Sequence, residues 1–388
     1  MFLSNNNEDF CFIDFESCGL PGTEDSDLAE VKVVGLDVYG DNAFPVMLTY
    51  CIGDSDVDIL ALDDFNRRLS WDDFPVKLKD FYKKAANGQA WFVAWNMGFD
   101  RRIWNCDACN FPPLSIDMTI DAMVQAMSSG LPLKLNDAGA DLGLGEKHTG
   151  GKYMSLFSKW GAGTPSTHPE QWREYKHYGI KDTELLRDVF FSCRPLPKAE
   201  WEDYWVSEAI NERGIGVDVF FAKRAVAVAE YNASRMDDRL RLLTDGTITG
   251  VSQVGRICAW VYDNLSSTEA RNILHKPDGV GGYKLSLDKN RIERLIAFFE
   301  SKESLTALDK KVSEVLNIRY YGGSTAHKKF NKIVTMSKDG VLRNSYVFNG
   351  GGQTGRFSSR GVQVHNLIRK SLGENEAEFI DAISFLDV

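Results

Sequence analysis

The chain has no apolar run near the roughly 18 residues that a membrane-crossing helix needs. Its opening, MFLSNNNEDF, also lacks the basic and apolar regions of a secretory signal. No membrane partner and a cytoplasmic location are therefore expected. Seven cysteines, an odd number spread from Cys11 to Cys258, do not form a disulfide framework and fit free thiols in a reducing compartment. Cys106 and Cys109 make a Cys-x-x-Cys pair, but no second Cys or His pair accompanies it, so a zinc site is not expected. Neither an internal repeat nor a low-complexity tract is present, which removes solenoids and propellers. What is there is an ordinary globular composition: 388 residues, 43% hydrophobic and 26% charged, enough for two domains with real cores.

The two halves read differently. From Phe10 to about Arg194, the β-type runs FCFIDF, VVGLDVY, PVMLTYCIG, DVDILAL and WFVAW are interleaved with helical patterns such as LKDFYKKAA. That order predicts an α/β domain with a mixed sheet and helices packed on it. The segment RPLPKAE, with prolines at 195 and 197, marks the expected boundary, giving domains 1–195 and 196–388. Beyond Glu200 long helical patterns dominate: EDYWVSEAINERG, DVFFAKRAVAVAEYNASRMDDRLRLL and DKNRIERLIAFFESKESLTALDKKVSEVLNIR.

A formal net charge of −10 hides an internal contrast. Between Arg319 and Lys370 stand ten basic residues and one acidic residue, Asp339, a net +9 against −19 for the remainder. This segment is rich in Gly, Ser and Asn and is interleaved with Tyr320, Tyr321, Phe330, Tyr346 and Phe357. Phosphate neutralisation combined with base stacking calls for such a composition; a solvated basic face is the plainer alternative.

Three carboxylate motifs carry the chemistry of the first half. Asp14 and Glu16 alternate along FCFIDFES, so as strand residues i and i+2 they point to one face. Two like charges so close are costly unless a cation neutralises them, and hard ions such as Mg²⁺ or Mn²⁺ take carboxylate oxygens. Asn96-Met97-Gly98-Phe99-Asp100 delivers a second carboxylate at the mouth of the run WFVAW, where α/β sheets place their chemistry. A helix N-terminal acid favoured by the dipole is the simple alternative there. Tyr178 and Asp182 are i and i+4 in WREYKHYGIKDTELLRDVFF and share a helix face. His177, about 140° away from Asp182 around such a helix, is the less suited neighbour.

In order, Asp-x-Glu, Asn-x-x-Phe-Asp and Tyr-x-x-x-Asp resemble the DEDD exonuclease superfamily in its tyrosine subclass. The resemblance implies a ribonuclease H-like fold and a two-metal 3′-5′ exonuclease. Asp14, Glu16, Asp100 and Asp182 would hold two divalent cations (Mg²⁺ or Mn²⁺), Tyr178 would orient the attacking water, and Asn96 would shape the site.

In the second half, GGGQTGRFSSRGVQVHNLIR fails as a nucleotide-binding loop, because Arg356 and Phe357 stand where Lys and Ser or Thr are required. TGRFSS followed by Gln363 to Arg369 resembles instead the template-primer motif of family A DNA polymerases, especially bacteriophage ones. His365 and Ile368 depart from that family's usual Gln and Pro. INERGIGVD and VLNIRYYGGSTAHKKF resemble the flanks of the phage polymerase thumb, so the likeness covers essentially the whole chain. It implies a mainly α-helical thumb and a partial palm after the exonuclease domain, and, for a phage-encoded chain, the cytoplasm of the host cell. DNA, as a single-stranded 3′ end and as primer-template, would be met by Asn96, Arg319, Lys328, Lys329, Thr354, Arg356, Ser358, Gln363, Asn366 and Arg369. The family's later motifs, with the two palm aspartates and the fingers helix, have no counterpart before Val388. That points to a truncated product or to a first subunit whose palm and fingers motifs reside on a second polypeptide. Two alternatives are a free-standing DEDD ribonuclease and a non-catalytic DNA-binding subunit of a split polymerase.

Overall fold

The computed structural model describes residues 3, 4, 6–20, 31–145, 149–323, 327–351, 354–367 and 373–385. They fall into two compact units: Met1–Val219 with Lys332–Lys370, and Phe220–Asn331 with Ser371–Val388. The expected first domain, 1–195, lies wholly within the first unit.

The first unit is a mixed α/β structure. Its elements run β1 (Phe10–Gly19), α1 (Val31–Asp41), β2 (Ala43–Ile52), β3 (Asp58–Ala61), α2 (Val76–Ala86), β4 (Trp91–Ala94), α3 (Met97–Trp104), β5 (Thr119–Asp121), α4 (Ala122–Ser128), α5 (Leu135–Asp141), α6 (Met154–Phe157), α7 (Pro169–Ser192) and α8 (Lys198–Arg213). The five strands form one sheet in the order β3-β2-β1-β4-β5. β1, β2 and β3 pair antiparallel, and β1, β4 and β5 parallel. Alternation sorts β1 cleanly. Cys11, Ile13 and Phe15 enter the core under α2 and α3, whereas Phe10 and Phe12 pack on the opposite face with Phe190 of α7 and Trp201 of α8. Asp14 and Glu16 therefore emerge on the face that α7 covers.

One expected strand is a helix. VVGLDVY lies within α1, which is interrupted at Gly35, where φ is 79°. A short apolar run carries no periodicity that separates a buried helix from a strand. Tertiary packing decides: Val34 and Tyr39 join the core, and Tyr39 stacks on Phe99 of α3 with ring centroids 6.3 Å apart.

The segment after Lys332 returns to the first unit. Tyr346–Val347 pairs antiparallel with Ser358–Ser359 across the glycine-rich turn. There the Gly351 amide donates to the Arg356 carbonyl at 2.7 Å, and a Cβ on Gly351 would stand 2.8 Å from that carbonyl oxygen, so a side chain would not fit. Lys338 pairs with Asp41 at 2.6 Å and Arg343 with Asp37 at 2.9 Å. These two cations of the basic segment thus serve to hold it on α1.

The second unit is mainly helical: α9 (Val219–Leu243), α10 (Val254–Asn264), α11 (Thr268–Ile273), α12 (Lys289–Glu300) and α13 (Ala307–Gly322) enclose a core that includes Leu240, Ile257, Val261, Leu295, Val312 and Leu316. Asp288 caps α12, and Thr306 and Asp309 form a reciprocal capping box at the start of α13. α14 (Lys328–Met336) crosses the division between the units. All seven cysteines are free thiols, and no described helix is long and apolar enough to cross a membrane.

Candidate active site

Three local structures bring the four carboxylates together. β4 covers β1 only at Phe10, Cys11 and Phe12, and that edge is next bridged at Gly19, by Lys159, so among the described residues no strand pairs with it at Phe15. The Phe15 amide donates at 2.9 Å to Asp100 Oδ1, which fixes the Asp100 carboxylate beside β1. Asp100 comes from the first turn of α3, and the chain enters that helix through Asn96 in the left-handed region, with φ 65° and ψ 55°. Asn96 is held there by its own amide, which donates at 2.9 Å to Asp121 Oδ1 at the end of β5.

α7 approaches the sheet at Gly179. A Cβ there would meet Met47 Cε at 2.9 Å and Thr49 Cγ2 at 3.3 Å, so glycine lets the helix lie this close to β2 without displacing either side chain. Thr49 seals the contact, with its hydroxyl 3.2 Å from the Gly179 carbonyl and 2.7 Å from the Thr183 hydroxyl. Met47 and Thr49 are the register partners of Glu16 and Asp14 on β1. Tyr178 and Asp182, on either side of Gly179 along α7, are thereby set beside the Asp-x-Glu pair, and their side chains are hydrogen-bonded to each other.

The electrostatics record the crowding. Burial, then repulsion by Asp182, pushes Asp14 up to about 7. Glu16 is raised well above its ordinary value by burial and by Asp14, and Asp100 is raised by burial and by Asp14 while the Phe15 amide pulls it down. Asp182 is pushed up to about 6 by burial against the opposing hydrogen bond from Tyr178. Asp14, Glu16 and Asp182 each keep a partly open side, whereas Asp100 is 2% exposed. Among the described residues no group of three or more His, Cys, Asp or Glu side chains stands close enough together to hold a metal ion. The donor set nonetheless fits hard divalent cations: carboxylate oxygens that repel one another are what such ions draw together.

His177 is exposed on α7, away from the face that Tyr178 presents. Two contributors were not anticipated from sequence. Tyr175, 1% exposed, donates to Glu16 Oε2 at 2.5 Å. Its signal was available, since it lies one helical turn before Tyr178. Asp121 supports Asn96 and also caps α4 through the Met123 amide; burial pushes it up to about 7.

The residues expected to meet DNA are distributed over both units. Asn96, Thr354, Arg356, Ser358, Gln363 and Asn366 belong to the first, and Arg319, Lys328 and Lys329 to the second. Thr354, Arg356, Gln363, Asn366 and Lys328 are exposed, while Ser358, Arg319 and Lys329 are half-buried. Arg369 lies outside the described residues, as does Ile368.

No protein-family model matches the chain. It is 25% identical over 332 residues to a DNA polymerase of Bacillus phage SP02, an alignment that takes in 77% of this chain and 46% of the relative. The chain thus spans about half the length of that curated relative, and the resemblance to a bacteriophage DNA polymerase is borne out. Among solved structures, it is similar to the POL domain of Pol1 from M. smegmatis in complex with DNA primer-template and dNTP, with a TM-score of 0.48 and 10% identity, covering 84% of this chain and 50% of that one.

Proposed function

We propose that this chain is the N-terminal part of a phage family A DNA polymerase acting in DNA replication, with a ribonuclease H-like 3′-5′ exonuclease followed by a template-primer-binding thumb and the beginning of a palm. The observation that carries the reading is the convergence of Asp14, Glu16, Asp100 and Asp182 from β1, α3 and α7, with Tyr178 bonded to Asp182. Similarity to a phage DNA polymerase supports the choice of DNA as substrate.

Asp14, Glu16, Asp100 and Asp182 would hold two divalent cations, Mg²⁺ or Mn²⁺. Bound there, the ions supply Lewis-acid activation of water and stabilisation of the leaving 3′ oxygen. The residues of the chain do the rest. The Phe15 amide keeps Asp100 in place, and the Tyr178 hydroxyl, held against Asp182, orients the water for attack on the terminal phosphodiester. Asn96, locked by Asp121, shapes the wall where the 3′ nucleotide would lie. Thr354, Arg356, Ser358, Gln363, Asn366 and Arg369, with Arg319, Lys328 and Lys329, would contact the primer-template backbone and groove.

The test is incubation of the purified chain with a 5′-labelled, 3′-recessed DNA primer-template, Mg²⁺ and all four deoxynucleotides. Shortening without extension is expected, and Asp14→Ala should abolish it. Cleavage retained in Asp14→Ala overturns the metal assignment. Preferential digestion of an RNA strand of the same sequence would identify a DEDD ribonuclease instead, and salt-dependent duplex binding without hydrolysis would identify a DNA-binding subunit.

A further inference from the structure

Tyr175 is buried in a ring stack on the side of α7 facing β1. Its ring lies nearly parallel to Phe157, with centroids 5.5 Å apart at 23°, and to Tyr178, at 6.0 Å and 3°. Trp172 closes the same cluster. A phenylalanine would fill this space equally well, so packing alone gives no reason for the hydroxyl. That hydroxyl donates to Glu16 Oε2 at 2.5 Å. Glu16 sits at a weak point of the sheet, because the β1–β2 register shifts between Glu16 and Ser17. The register skips Val46 of β2, so the extra residue lies on the partner strand and the ladder is loosened opposite Glu16.

We infer that Tyr175 is a positioning residue for the exonuclease site: its phenol tethers the Glu16 carboxylate at the bulge, so that Glu16 is presented as an ion ligand in one orientation. The inference rests on the carboxylate-site reading above. The two tyrosines then divide the work, Tyr178 on Asp182 and Tyr175 on Glu16, from adjacent turns of a single helix whose closeness to the sheet is set by Gly179. Partners of this kind, which touch a ligand rather than the ion, typically change metal affinity by about 10- to 100-fold when removed.

The experiment is a Mn²⁺ titration of the full chain, with free Mn²⁺ read by electron paramagnetic resonance, on wild type, Tyr175→Phe, Glu16→Gln, the Tyr175→Phe/Glu16→Gln double variant and Asp14→Asn. Tyr175→Phe should raise the Mn²⁺ Kd about 10-fold. In the Glu16→Gln background the same change should add nothing, because the hydroxyl acts through that carboxylate. Thermal unfolding in chelator accompanies each titration. Equal Kd for wild type and Tyr175→Phe overturns the inference, as does a lowered unfolding midpoint with unchanged Kd, or a further loss on top of Glu16→Gln. All three outcomes leave the carboxylate site standing. Failure of wild type to bind Mn²⁺ more tightly than Asp14→Asn overturns the site reading and the inference with it.

Discussion

Neutralising Asp14 should stabilise the metal-free protein, and adding metal should reverse the order of stability. A carboxyl whose pKa is higher in the fold than in the unfolded chain binds its proton more tightly when folded, so stability is greatest at low pH and declines as pH rises between the two values. For Asp14 they are the ordinary 3.8 and about 7, with burial and Asp182 as the causes. The interval corresponds to about 4 kcal/mol, which the partly open side of the carboxylate reduces to about 2–3 kcal/mol. In chelator at pH 8, Asp14→Asn should therefore exceed wild type by that amount, or about 5–10 °C in unfolding midpoint for a unit of this size. At pH 4 the two should nearly coincide. Mg²⁺ at about 100 times its Kd returns about 2.7 kcal/mol to wild type, while the variant, lacking the ligand charge, gains much less. Tryptophan fluorescence is a suitable probe, because Trp260 alone of the nine tryptophans lies outside the first unit. If Asp14→Asn is no more stable than wild type at pH 8 in chelator, or if Mg²⁺ stabilises both equally, the account of a mutually repelling carboxylate site is wrong.

Gly179→Ala should cost about 1 kcal/mol in urea unfolding, since the new methyl would stand 2.9 Å from Met47 Cε and 3.3 Å from Thr49 Cγ2, crowding that outweighs the helix propensity gained; a raised midpoint would mean the helix does not lie as described. Tyr178→Phe at saturating Mg²⁺, where any loss of ion affinity through Asp182 is overcome, should slow 3′-end hydrolysis by about 100-fold, because its hydroxyl orients the attacking water; equal rates would remove Tyr178 from the reaction. Arg356→Ala, at an exposed position, should weaken primer-template binding and reduce the slope of log K against log salt by about one; an unaltered slope would show that this guanidinium meets no phosphate.

The strand that bears Asp14 and Glu16 could be read from sequence because a period of two leaves little freedom: once Phe10 and Phe12 face one core and Cys11 and Ile13 the other, the carboxylates' side follows. The helical face shared by Tyr178 and Asp182 follows in the same way from a period of 3.6. VVGLDVY escaped because its apolar residues obey neither period long enough, and its conformation is decided by contacts with α3, a segment distant along the chain.

The same distinction explains which parts of the site stayed hidden. Asp100 could be placed near a strand's mouth, but its bond to the Phe15 amide depends on where β4 stops covering β1, a fact of register rather than of composition. Asp121 was invisible as a site residue because its partner is a backbone amide, and every non-proline residue offers one of those. Gly179 stood inside a helical pattern, where glycine is ordinarily a cost of about 1 kcal/mol against alanine. Its value appears only when Met47 and Thr49 are seen beneath it. Side-chain periodicity thus identifies the ligating groups, whereas the supports that hold them depend on close approaches between segments distant in sequence, and those become definite only in the folded chain.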